Sequence, residues 1–133
     1  MLLWLPFFLA GGGMLATAGY SWPRRRARGG RVLLLLCLAA ALWSVCEGLL
    51  YLGLSTSHNL AITQVQYLGI ALAPPLALVL VLELFGPREW LRRRWLAVLF
   101  GAAAVVILLA WTNQAHRLLW SEWWTIPGAR PML

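Results

Sequence analysis

The sequence has no lysine and no aspartate, and its acids are only Glu47, Glu83, Glu89 and Glu122. Those gaps exclude whole classes of chemistry. Without lysine there is no phosphate-binding P-loop, and without aspartate no kinase metal site and no Ser-His-Asp triad. Two histidines and two cysteines are too few and too scattered for a closed zinc site, so no metal or other cofactor is expected. Cys37 and Cys46 lie about 13 Å apart along one apolar stretch. That exceeds the roughly 7 Å a disulfide tolerates, so both are expected to pack as thiols.

What the chain does have is apolar surface. Of 133 residues, 62% are hydrophobic and 11% charged, against roughly 45–50% and 25% in soluble domains. A soluble core of this size cannot hide that much apolar area, so the bilayer must be the main solvent. The expected class is an all-α integral membrane protein of four transmembrane helices. The spans run from about 2–20, 32–54, 60–85 and 95–111, each long enough for roughly 30 Å of hydrocarbon. An outer tail, 112–133, follows. Ala16-Thr17-Ala18 resembles a signal-peptide cleavage site, but no basic residue precedes the apolar run and five arginines follow it, the reverse of a signal peptide.

All eleven basic residues are arginine. Arg24, Arg25, Arg26, Arg28 and Arg31 fall in the first connection, and Arg88, Arg92, Arg93 and Arg94 in the third. The second connection has none, and the tail has Arg117 and Arg130. Nine against two is a strong positive-inside bias. The first and third connections are therefore expected in the cytoplasm, with the N-terminus and residue 133 outside. The net charge of +7 then points to anionic inner-leaflet lipids rather than nucleic acid. Trp22, Trp90 and Trp95 mark the inner boundary, and Trp4, Trp111, Trp120, Trp123 and Trp124 the outer one, as belts of amphipathic rings do. The WSEWW run (120–124) is expected to lie on the outer surface, as an anchor or a short surface helix.

Polar groups within the spans are functional candidates, because burying charge is costly. Counted from the span ends, Glu47 falls at the depth of Gln64, Gln66 and Tyr67. Ser44, Glu47 and Tyr51 share one helix face, as do Gln64 and Tyr67. These stripes form either an outward pocket that senses a ligand, ion or proton, or interhelical hydrogen bonds that fix the hairpin. Glu83 is expected to pair with Arg88 and Arg92 at the inner boundary. Pro74-Pro75 removes the partners of the Ile70 and Ala71 carbonyls, which predicts a hinge or a fixed bend. Gly69 and Ala73 offer a small-residue contact face beside it.

VQYLGIALAPP (65–75), preceded by LWSVCEGLLYLG (42–53) and followed by TNQAHRLLW (112–120), resembles the N-terminal seven-transmembrane sensor region of bacterial histidine kinases. The positions that match are Trp43, Gln66, Tyr67, Gly69, Pro74, Pro75, Asn113 and His116. The second-span acid of that family is expected one turn later, near Leu50, where this chain offers Glu47. The resemblance implies the first four helices of a seven-helix sensor in a bacterial plasma membrane. A homodimer would form through an output module, usually a histidine kinase, that this chain does not contain. With no catalytic motif, the chain itself is not expected to be an enzyme, and its signal is unknown. Two other functions remain open: a small four-helix proton- or cation-coupled transporter using Glu47, and an assembly partner in a larger membrane complex.

Overall fold

A computed structural model describes residues 2–52, 56–86 and 88–119. Its helices are α1 (Leu5–Ser21), α2 (Gly30–Leu50), α3 (Thr56–Phe85) and α4 (Arg93–His116), with no strand among the described residues. Short 3-10 turns at Trp22–Arg24 and Arg88–Leu91 end α1 and precede α4. Three helices are long and apolar enough to cross a membrane: α2, α3 from Ser57, and α4. The fourth, α1, has 17 residues, about 26 Å of helix, and its 3-10 extension carries the chain on to Arg24.

Each boundary has a local cause. Pro6 in the first turn of α1 has no N–H to leave unsatisfied. α2 stops at Leu50, short of the Leu54 expected from hydropathy, because the backbone turns at Tyr51 and Leu52. α4 is longer than the 95–111 stretch at both ends: Arg93 and Arg94 stay helical, and capping carries the far end to His116. Residues 112–116, expected in the tail, are therefore helical. The WSEWW run and the rest of the tail lie outside the described residues.

The helices pack in chain order, α1 on α2, α2 on α3 and α3 on α4. Among the described residues α1 touches neither α3 nor α4, and α2 does not touch α4. The arrangement is a row rather than a closed ring. Its buried apolar positions are largely small, among them Ala39, Ala41, Ala71, Ala103 and Ala110. Small residues let helix backbones approach, which matters where lipid tails are as apolar as leucine and burial drives little. Large apolar side chains such as Leu9, Val98 and Leu108 face outward, the inverse of a soluble bundle. Cys37 and Cys46 are buried free thiols.

Gly69 makes the closest contact of the row. A Cβ there would lie 2.5 Å from the Ala39 carbonyl oxygen and 2.9 Å from the Trp43 backbone nitrogen. No side chain fits, so α2 and α3 cross at nearly backbone distance. α3 runs through Pro74 and Pro75 without interruption, with Pro75 buried and Pro74 exposed.

Candidate functional site

Glu47 lies in the last turn of α2, three residues before its end. Gln66 is in α3, only 5% exposed, and its Nε2 donates to Glu47 Oε2. This bond joins the two helices about one turn before the Gly69 crossing along α3. It also gives a carboxylate inside an apolar bundle a directed donor from the neighbouring helix, which offsets part of its desolvation cost. Glu47 remains half-buried, so the pair is reachable from one side.

One expected member of the cluster, Gln64, separates from it. Gln64 turns to α4: Trp111 Nε1 donates to the Gln64 carbonyl at 3.0 Å, and Gln64 Nε2 approaches the Trp111 carbonyl at 3.4 Å. Gln64 and Gln66 are two positions apart, about 200° around the helix, so they face different neighbours. Tyr51 stacks on Phe7 of α1, with centroids 5.2 Å apart and planes 12° from parallel. Beside it, Trp4 meets Phe8 edge to face at 6.0 Å. The Ser44–Glu47–Tyr51 stripe is therefore divided, with Glu47 bonded to α3 and Tyr51 packed on α1. Tyr67 is half-buried on α3, one position beyond Gln66.

The far end of α4 is closed by its own side chains. Asn113, 2% exposed, accepts the Leu119 N–H on Oδ1 at 2.8 Å. His116 Nδ1 accepts the Leu118 N–H at 3.1 Å, while its Nε2 meets Thr112 Oγ1 at 3.0 Å. Arg117 takes a left-handed conformation and donates its backbone N–H to the Asn113 carbonyl. Orphan groups at the helix terminus are thereby satisfied.

At the arginine-rich end, Glu83 shares a pocket lining with Arg25, Arg26, Arg28 and Arg31 of the first connection and the start of α2. Arg24 lies over the Tyr20 ring at 4.1 Å, and Arg25 over Trp22 at 4.6 Å. Arg94 lies over Trp95 at 5.6 Å. Cation–π contacts of this kind anchor guanidiniums beside boundary aromatics. Among the described residues, no group of three or more His, Cys, Asp or Glu could hold a metal ion.

The family model for the N-terminal 7TM region of histidine kinase matches residues 6–133. The chain belongs to that family. No curated protein and no solved structure matches it. As a histidine-kinase 7TM region, the chain is a membrane-embedded sensor input region, and the family describes no catalytic domain. Five of the eight positions singled out by resemblance lie at helix contacts or at a helix end. Gly69 and Trp43 meet at the α2–α3 crossing, Gln66 joins α3 to α2, and Asn113 and His116 close α4. Sequence reasoning missed Trp111 as the partner of Gln64. An indole at the matching depth of the next antiparallel span was the available signal.

Proposed function

We propose that this chain is the sensory input of a two-component sensor histidine kinase in a bacterial plasma membrane, and that Glu47 and Gln66 form its signal-responsive contact. The observation that carries the reading is the hydrogen bond between them. It is a polar link across the α2–α3 seam, made by an ionisable group that an apolar bundle has no structural need to contain. Anything that protonates Glu47, or competes for it, changes what holds α3 against α2. Pro74 and Pro75 lie about 12 Å further along α3, where two missing backbone bonds lower the cost of bending. A local change at Glu47 is in this way coupled to the arginine-rich end of α3.

The arginine distribution supports an orientation with Glu47 towards the outside and the first and third connections in the cytoplasm. The output module and the homodimer expected of it belong to the same proposal. The test is Glu47→Gln in the full receptor, a change that removes charge and keeps shape. Signal-dependent autophosphorylation should be lost while membrane abundance stays normal. Equal loss of abundance would assign the pair to packing and defeat the reading.

A further inference from the structure

The first connection and the foot of α3 frame an open pocket of about 530 Å³ at the arginine-rich end of the row. Arg25, Arg26, Arg28 and Arg31 line it from the connection and the start of α2, Glu83 from α3, and Leu91 from the turn before α4. Four arginines and one glutamate thus share the lining. Arg24 is not part of the lining, since it lies over Tyr20 and donates to the Tyr20 carbonyl at 3.2 Å.

The wall is built rather than loose. Three successive backbone bonds fold the connection: Arg25 N–H to the Trp22 carbonyl, Ala27 N–H to Arg24 and Gly30 N–H to Ala27. Gly29 has φ +74°, a left-handed conformation that suits glycine, and a Cβ there would lie 3.1 Å from Leu80 and 3.2 Å from Leu84. This packing seats the connection on α3. Arg25 is oriented further by its bond to the Trp22 carbonyl at 3.0 Å. At this end of the row Trp22 and Phe85 are exposed, apolar surface of the kind acyl chains cover.

We propose that this cavity binds a phosphate group, carried by an anionic lipid headgroup or by a soluble phosphate. The guanidinium fork matches phosphate oxygens two at a time, which a lysine ammonium cannot do. Basic pockets between helices at this level accept phospholipid headgroups. Glu83 is the one opposing charge and limits affinity. Because the lining comes from the first connection, α3 and the turn before α4, an occupant ties the two arginine-rich connections to the foot of α3. The leaflet concerned rests on the orientation proposed above, but binding itself does not.

The experiment uses the full chain in phosphatidylcholine nanodiscs with and without phosphatidylglycerol, and in neutral detergent titrated with inorganic phosphate. Retained lipid is read by native mass spectrometry and phosphate by calorimetry. Replacing Arg26, Arg28 and Arg31 with glutamine should weaken binding roughly fivefold for each arginine. The same change at Arg92, Arg93 and Arg94, outside the cavity, should cost less than about twofold in salt-screened buffer. Glu83→Gln, which leaves the arginines in place, should tighten binding. Retention of phosphatidylglycerol without phosphate assigns a lipid source, and phosphate without the lipid a soluble one; either supports the site. Equal losses in both triple variants, no binding of either probe, or weaker binding in Glu83→Gln would overturn it. None of these readouts depends on signalling, so failure here is separable from failure at Glu47.

Discussion

Gly69 of α3 leaves no room for a methyl group beneath the Ala39 carbonyl of α2: a Cβ would sit 2.5 Å from that oxygen. The obstacle is backbone, which cannot swing aside as a side chain would. Gly69→Ala should therefore force the helices apart and cost about 1–3 kcal/mol. Gly12, with nothing within 4 Å of its Cβ position, is the control, and Gly12→Ala should cost nothing. Denaturation of both variants in detergent micelles, followed by circular dichroism, checks the difference.

The Glu47–Gln66 bond should appear as a coupling in a double-mutant cycle. Glu47→Ala and Gln66→Ala are each expected to destabilise, and the pair together by less than their sum. The coupling should be about 0.6 kcal/mol, and no more than about 1.7. Strict additivity would mean the two side chains do not interact.

Tyr51 stacks on Phe7, so cysteines at these two positions should crosslink once Cys37 and Cys46 are replaced by alanine. Cysteines at Tyr51 and Thr63, which depth counting alone would pair, should not. Mobility shifts with a short bifunctional reagent read the outcome directly, and a Tyr51–Thr63 crosslink would refute the helix rotation described above.

Trp111→Phe keeps most of the ring and removes the Nε1 donor to Gln64. Among the described residues α4 packs on α3 and on its own preceding turn, and this bond is a polar link between the two helices. A loss of about 1 kcal/mol is expected, along with faster amide exchange in α4 but not in α1.

The orientation predicts that a periplasm-active reporter fused after Leu133 works and that one fused at Gly30 does not. Neutralising Arg24, Arg25, Arg26 and Arg28 together should produce mixed orientations of the first hairpin. Activity from the Gly30 fusion in the unaltered chain would reverse the assignment.

Helix existence was legible because each apolar stretch is long and interrupted by arginine clusters or short polar turns. The Glu47–Gln66 level was legible too, since antiparallel spans can be counted from a shared end. Rotation was not. α3 has neighbours on two sides, so Gln64 and Gln66 answer to different helices, and nothing in residue order says which faces which. Glu83 illustrates the same limit. Residue order alone does not show that the first connection folds back on the foot of α3 and shares a pocket lining with it. The ends of α2 and α4 depended on a turn at Tyr51 and on side-chain caps, local geometry that hydropathy does not register.

The row of helices also has a temporal meaning. Each described helix after α1 has its immediate predecessor as a partner, so contacts are local in the chain and cheap in loop closure. During synthesis α2 emerges when α1 is already in the bilayer, and α3 emerges when α2 is. No helix need wait for one still unmade. Nascent chains stalled when α2 has left the ribosome but α3 has not should therefore already form the Phe7–Tyr51 crosslink, before Gln66 has reached Glu47.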